Sequence, residues 1–146
     1  MIGDDTSKPL HGSTRLQKGI FIALKERLND DELFAKFHYI PYRYGPWSFY
    51  IKEILGDLIS SGYVSYRGKK NTNSQKFYLT KKGERYFKTI KEANPKIVDV
   101  MDNVRKDTDE LTVRGILRYI YNNPKYKNYL VNSAVRKRYE DITWGK

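Results

Sequence analysis

Cysteine is absent from this chain of 146 residues, which excludes disulfide bonds, thiol catalysis and thiolate metal sites. Histidine is scarce, and because His11 and His38 do not have the spacing of metal ligands, we expect no metal site. No uncharged apolar run approaches the roughly 18 residues that a membrane helix needs. The first 13 residues carry acidic side chains and lack the apolar segment of a signal peptide. We therefore expect a soluble cytoplasmic protein without a membrane partner.

Acidic residues are missing from one stretch of the chain. Residues 67–82 hold six basic residues and no acidic ones, and residues 111–146 hold eight basic and two acidic ones. The rest is nearly balanced, so these two segments account for the net charge of +11. Clustered positive charge is typical of a protein that binds nucleic acid or another polyanion, although a lysine-rich loop can also serve only to keep a protein soluble.

The chain has enough apolar material for a core, since 39% of its residues are hydrophobic and 14% are aromatic. The first 13 residues resemble a flexible arm. Thr14 and Gln17 fit a capping box, and the apolar residues behind them have helical spacing, which predicts a helix over residues 15–28. A short helix is expected over residues 31–37, capped by the Asn29-Asp30 turn.

The next stretch, residues 37–44, favours a strand that is short or at an edge, because Pro41 cannot donate to a ladder. Gly45-Pro46 is expected to end it. Ser48 is a predicted N-cap for a helix over residues 48–61, which is the clearest helix in the sequence. Its apolar stripe consists of Ile51, Ile54, Leu55, Leu58 and Ile59.

Two alternating segments, residues 63–67 and 76–80, predict a β-hairpin with a polar loop. Thr80 is expected to cap the helix that follows. Asn94 with Pro95 predicts the start of another helix.

Further along, Asp107 and Glu110 fit a capping box before a helix that begins near residue 111. A last short helix is expected from Ser133 to about Glu140.

The order helix, short strand, long helix, strand, basic loop, strand, helix indicates a winged helix-turn-helix. The expected fold class is α+β, mainly α, with a small β-hairpin wing and additional C-terminal helices. Residues 1–13 would be an arm, 14–93 the winged-helix domain and 94–146 a helical extension. This extension either forms the interface of a homodimer or packs on its own chain. The cluster Arg136-Lys137-Arg138 extends the phosphate contacts or is a charged tail.

Several segments carry a resemblance to known proteins: RLQKGIFIALKERL, FHYIPYRYGPWSFYIKEILGDLISSGYV, FYLTKKGERYF and ILRYIYNNPKYKNYLVNSAV. Over roughly residues 15–135 the chain resembles small winged-helix proteins of the YwgA type and, more distantly, Panacea-type antitoxin domains. Tyr44-Gly45-Pro46-Trp47-Ser48 is the most specific element. The resemblance implies a winged-helix fold and a regulatory or defence-related role, and it transfers no catalytic residue.

Double-stranded DNA is the partner that these features predict, with the wing on the phosphate backbone and helix 48–61 in the major groove. The predicted nucleic-acid contacts are Arg43, Ser48, Phe49, Tyr50, Lys52, Glu53, Arg67, Lys69, Lys70 and Lys76. Arg43 would reach a phosphate at the helix start or pair with Glu32 or Glu53. Trp47 is expected to pack over the core, with a partner for its indole N–H, and the alternative is that it stacks on a base.

A transcriptional regulator is thus the first functional hypothesis. The alternative is a protein-interaction module, antitoxin-like or a defence-system adaptor, because the outward face of helix 48–61 has nearly balanced charge. RNA binding is a third hypothesis, since a basic surface rich in tyrosine suits both polymers. No catalytic residue set or phosphate-binding glycine loop is recognisable, so we expect neither an enzyme nor a cofactor.

Overall fold

Residues 1–3, 9–72 and 74–130 are described by the computed structural model of the protein. The elements follow in this order: β1 (Leu10–His11), α1 (Gly12–Ile22, continued by a π-helical turn over Ala23–Arg27), α2 (Asp31–Ala35), β2 (Ile40–Tyr42), β3 (Gly45–Trp47), α3 (Phe49–Ser60), β4 (Val64–Arg67), β5 (Lys76–Leu79), α4 (Lys81–Ala93), α5 (Pro95–Asp109), α6 (Val113–Tyr121) and a 3-10 turn (Pro124–Tyr129).

The fold is α+β and mainly helical, as expected. Strands β1, β5 and β4 form a small antiparallel sheet in that order, and β2 pairs with β3 in a separate two-stranded hairpin. None of the helices in the described part of the chain is long and apolar enough to cross a membrane.

The prediction of a flexible arm over residues 1–13 is wrong where the structure describes it. Leu10 is 1% exposed, and β1 adds the third strand to the sheet. The carbonyl of Gly3 accepts a hydrogen bond of 2.6 Å from the backbone of β5. The Arg105 guanidinium of α5 donates to the carbonyl of Met1 (2.6 Å). These long-range bonds hold the described residues on the domain.

The capping box predicted at Thr14 and Gln17 is also wrong, because α1 begins at Gly12, three residues before the predicted start at residue 15. Gly12 follows β1 with a φ of 83°, and its N–H donates to the carbonyl of Gln75 (2.8 Å). The sheet therefore determines where the helix starts. Thr14 lies within the first turn, and the Gln17 side chain makes tertiary contacts instead.

The prediction that Gly45-Pro46 ends a strand is wrong. Gly45–Trp47 forms the strand β3, which pairs with β2. Gly45 has a φ of 108°, and a Cβ there would lie 3.3 Å from the ring of Tyr121 in α6. Pro41 pairs with Pro46 across this hairpin, so neither proline blocks a neighbouring strand. The predicted caps on the following helix and on α2 are correct: the Ser48 Oγ accepts from the Ile51 N–H (3.1 Å), and the Asp30 side chain caps α2.

The predicted hairpin of β4 and β5 is confirmed, with Val64 opposite Leu79 and Arg67 opposite Lys76. Thr80 caps α4 as expected, since its Oγ1 accepts from the Gly83 N–H (3.0 Å).

Beyond α4, the helix start predicted at Asn94-Pro95 is correct, whereas α6 begins at Val113, two residues after the predicted start near residue 111. The side chains predicted to mark these starts do not cap the helices. Asn94 precedes α5 but its side chain bonds back to the carbonyl of Ile90. Asp107 and Glu110 lie at the end of α5, and Thr112 caps α6. The two capping boxes failed because a local sequence match ignores where the preceding element ends.

Helices α5 and α6 both pack on α1, so the described part of the C-terminal extension completes the core of its own chain. Val104, Ile116 and Ile120 are fully buried in the same cluster as Phe21 of α1. The helix expected from residue 133 and the cluster at residues 136–138 lie outside the described residues.

Candidate functional site

Four predicted contact residues lie on the hairpin of β4, β5 and their loop, residues 64–79, which we call the basic hairpin. Arg67, Lys69, Lys70 and Lys76 are all exposed to solvent. In the sequence no acidic residue occurs between Asp57 and Glu84. The hairpin therefore presents a continuous positive potential to solvent.

The described residues of the basic-hairpin loop, 68–72 and 74–75, make several local contacts. Gly68 has a φ of 86°, and a Cβ there would overlap the carbonyl of Ser74, so only glycine fits. The Thr72 hydroxyl donates to the carbonyl of Lys69 (2.7 Å), and the Asn71 N–H donates to Oε1 of Gln75 (3.2 Å). These bonds place the two loop lysines at a fixed position relative to the strands.

Two hairpin cations also lie over tyrosine rings. The Arg67 guanidinium is 5.3 Å from the ring centroid of Tyr78, and the Lys70 Nζ is 5.6 Å from that of Tyr66. Cation–π contacts at exposed sites contribute about 0.5–1 kcal/mol. They orient the side chains and leave the charges accessible.

The first half of α3 presents a mixed surface. Phe49 and Tyr50 are 47% and 46% exposed, and Lys52 and Glu53 are also exposed. Gly56 lies on the same side, and a Cβ there would meet no atom within 4 Å. The fold itself therefore does not require glycine at this position.

Ser48 must be removed from the predicted contacts. It is 0% exposed, its Oγ donates to the carbonyl of Phe37 (2.5 Å), and its backbone N–H and C=O bond to the Gln17 side chain (2.8 Å each). Its role is to start α3 and to attach it to α1. A residue so enclosed has no surface to offer a ligand.

Arg43 and Trp47 have neighbours that the sequence did not predict. The Arg43 guanidinium lies over the ring of Tyr42 (5.4 Å to the centroid), and within the described residues it forms no ion pair with Glu32 or Glu53. Trp47 is half-buried beside Tyr42 and Phe49 instead of packing over the core. Its indole Nε1–H is buried with no hydrogen-bond partner among the described residues.

A pocket of about 790 Å³ lies between the basic hairpin and α3. Its wall comes from four parts of the chain: the start of α1, the β2–β3 hairpin, α3 and the basic hairpin. This size is within the range of small-molecule sites, about 300–1,000 Å³. Sequence reasoning did not predict the pocket, since its parts are distant along the chain.

Lys18 is the least expected member of this wall. It is 2% exposed, and its Nζ lies 5.3 Å from the ring centroid of Trp47. Burial lowers the pKa of Lys18 to about 7 because the charged ammonium loses its hydration. The sequence held one signal: Phe21 and Ile22 follow Lys18 at helical spacing, so the lysine shares a face with buried residues.

Comparison with protein-family models finds no match to this chain, and comparison with curated proteins finds no significant one. The winged-helix resemblance therefore stays an expectation. The function must be argued from the geometry.

Histidine, aspartate and glutamate side chains do not cluster in the described part of the chain. No group of three or more His, Asp or Glu side chains there comes together in an arrangement that would hold an ion.

Proposed function

We propose that this protein is a winged-helix protein that binds double-stranded DNA, with the basic hairpin on the phosphate backbone and α3 in the major groove. The observation that carries the proposal is the set of four exposed cations, Arg67, Lys69, Lys70 and Lys76, on a hairpin directly after α3. Each phosphate contact releases counterions, so such a hairpin favours binding to a polyanion. The cellular role that fits is transcriptional regulation in the cytoplasm.

The order of elements supports the proposal. A long helix precedes an antiparallel hairpin, and β1 supplies a third strand beside it. One feature departs from a helix-turn-helix: the β2–β3 hairpin separates α2 from α3, where a turn of about three or four residues is usual. The proposal therefore depends on α3 and the basic hairpin rather than on α2.

Affinity and specificity would come from different residues. The hairpin supplies the charge, whereas α3 offers one exposed lysine and one exposed glutamate in its first half. Phe49 can contact a thymine methyl, Tyr50 can hydrogen-bond, Lys52 can reach a phosphate and Glu53 can accept from cytosine. Arg43 lies just before α3 and would bind a phosphate near its N-terminus.

The test is duplex DNA binding measured from about 50 to about 200 mM salt. Replacing Lys69 and Lys70 with Ala should weaken binding and reduce the slope of log affinity against log salt by about 2. The matched control replaces Lys88 and Lys91, two exposed lysines of α4, and removes the same charge away from the hairpin. Equal effects of the two double variants, or none, would contradict the proposed interface.

A second candidate function is binding to a protein. The observation that favours it is the group of half-exposed apolar side chains around the start of α3: Ile40, Tyr44, Phe49 and Tyr50. Under this hypothesis Phe49→Ala loses a protein partner and keeps full duplex affinity. Tyr86→Ala removes an equally exposed aromatic from α4 and serves as the control.

RNA is distinguished by competition, because a DNA reader should prefer the duplex DNA over an RNA duplex of the same sequence. A homodimer would present two basic hairpins to a pseudo-palindromic site. Sedimentation of the free and DNA-bound protein measures that stoichiometry.

A further inference from the structure

We propose that the pocket between α1, α3 and the basic hairpin binds a small organic anion that has an apolar body. The shared ligand chemistry is a carboxylate or a phosphate monoester attached to an aromatic or aliphatic group. The proposal stands on the pocket itself and does not depend on DNA binding.

Charge is the first argument. The pocket wall contains four cationic side chains, Lys18, Arg43, Lys52 and Lys70. Among the residues that the structure describes, no aspartate or glutamate lines it. A concave site with cations alone attracts anions, and its low-dielectric wall strengthens that attraction.

The buried ammonium is the second argument. Within the described residues, no carboxylate lies within 4 Å of Lys18, and its ammonium group lies over the Trp47 ring. Burying a charge without a counter-ion is unfavourable, so a lysine here needs a compensating partner. The unpartnered indole N–H of Trp47 belongs to the same wall. Both groups are donors, and an anionic oxygen would satisfy both.

The remaining wall determines the body of the ligand. Trp47, Phe49, Ile51, Leu55, Ile59 and Phe77 supply apolar and aromatic surface. A free phosphate or chloride ion would leave this surface in contact with water. Apolar area buried by a ligand contributes roughly 25 cal/mol per Å². An organic anion uses the charge and the apolar wall together.

Binding should be coupled to a proton. Because burial lowers the pKa of Lys18 to about 7, much of it is neutral just above that pH, and a bound anion would favour the ammonium. The affinity should therefore fall by up to about ten-fold per pH unit above 7. The other ionisable side chains of the wall are Tyr42, Arg43, Tyr44, Lys52, Tyr66 and Lys70.

The experiment uses the full chain with Trp144→Phe, which leaves Trp47 as its one tryptophan, and follows indole fluorescence. Two anions, 4-phenylbutyrate and phenyl phosphate, distinguish a carboxylate from a phosphate source. The neutral amide of 4-phenylbutyrate has the same apolar body. We expect at least one anion to bind, with the amide weaker than the butyrate by about ten-fold or more if the carboxylate is the source.

Lys18→Met should weaken the anion by a similar factor and abolish the dependence on pH. Lys25→Met is the matched control, since Lys25 follows in the same helical segment, lies 4.8 Å from the Phe34 ring and does not line the pocket. The comparison of butyrate with amide needs no variant, so a misfolded Lys18→Met protein would not obscure the result.

Three results would overturn the proposal. One is no saturable binding of either anion at millimolar concentration. Another is equal binding of an anion by the parent and Lys18→Met proteins. The third is a loss of duplex DNA affinity in Lys18→Met as large as that in the Lys69 and Lys70 double variant, because the pocket would then belong to the DNA interface. If the Lys69 and Lys70 double variant binds DNA as tightly as the parent, the proposed function fails, whereas the anion proposal, which is tested on the parent and on Lys18→Met, does not.

Discussion

Positive charge occurs in two opposite settings in this protein. On the basic hairpin, Lys69 and Lys70 are exposed, and Lys70 lies over the partly buried ring of Tyr66. In the neighbouring pocket, Lys18 is 2% exposed and lies over Trp47. Lys70 and Lys18 thus make the same kind of cation–π contact, but the first ammonium group is hydrated and the second is not.

Hydration determines what each cation can do. An exposed ammonium keeps its water, costs little stability and attracts a polyanion over about a Debye length, so its effect depends on salt. A buried ammonium lowers the stability of the fold and acts only on a partner that enters the pocket. The net charge of +11 counts both alike.

The largest expected effect comes from Gln17, which lines the pocket and connects the two helices of its wall. Its side chain bonds to both the N–H and the C=O of buried Ser48 and so attaches α3 to α1. Gln17→Leu leaves the Ser48 N–H unsatisfied and removes one of the two bonds of its C=O, which still accepts from the Lys52 N–H (3.3 Å). It should lower the free energy of unfolding by roughly 2–4 kcal/mol. Urea unfolding measures it. Gln75→Leu removes one acceptor from the hairpin loop and should lower the free energy of unfolding by less. An equal loss in the two variants would contradict a particular contribution of the bonds between α1 and α3.

Lys18→Met should stabilise the protein, on the order of 3 kcal/mol at pH 7, because it removes an uncompensated buried charge. Since burial lowers the pKa of Lys18 to about 7, below that pH both folded and unfolded states are protonated and the penalty is complete. As pH rises from 7 towards 9, Lys18 loses its proton in the folded state before it does so in the unfolded state. The parent protein therefore gains stability, and its difference in unfolding free energy from Lys18→Met becomes smaller.

Unfolding at several pH values checks this prediction. Burial also lowers the pKa of the Met1 amino group, but that contribution is common to both proteins and cancels in the difference. If the difference in unfolding free energy between the parent and Lys18→Met does not change with pH, Lys18 is not a buried cation with a lowered pKa.

Gly68→Ala tests whether the hairpin needs its shape as well as its charge. The new Cβ would overlap the Ser74 carbonyl at a positive φ, which should cost about 1–3 kcal/mol of stability and weaken duplex DNA binding without any change in charge. Gly56→Ala on α3 has open space and should stabilise the helix by up to about 1 kcal/mol. Unchanged DNA affinity in Gly68→Ala would mean that charge alone is sufficient.

The smallest expected effect is that of the Lys69 and Lys70 double alanine variant on stability. Both residues are exposed, so the free energy of unfolding should change by less than about 1 kcal/mol. Thermal or urea unfolding at two salt concentrations measures it. A larger loss of unfolding free energy would mean that the hairpin cations stabilise the fold. The contrast between exposed hairpin lysines and buried Lys18 would then not hold.

Local signals predicted the parts of the fold that local interactions form. The apolar stripe and the Ser48 cap predicted α3, alternation predicted β4 and β5, and the Thr80 cap was correct. Each depends on atoms within about four residues of one another. The exposed cations of the basic hairpin were predictable for the same reason, since lysines in a polar loop stay in water.

The errors came from contacts between distant segments. Strand β1 exists because β5 has a free edge for Leu10, and the bond of Gly12 to Gln75 moves the start of α1. Ser48 looked accessible as a cap residue, but Gln17 and Phe37 enclose it. Periodicity contains no information on such partners.

The sequence by itself determined the helical and strand content around α3 and the basic hairpin, together with the exposed charge on that hairpin, because hydration and local hydrogen bonding act over a few residues. The tertiary structure alone decided that Lys18 is buried against Trp47 in a pocket whose described lining residues include no carboxylate. Burial depends on which segments pack around a side chain. That is why Lys18 and Lys70, which have the same side chain, differ in exposure to water.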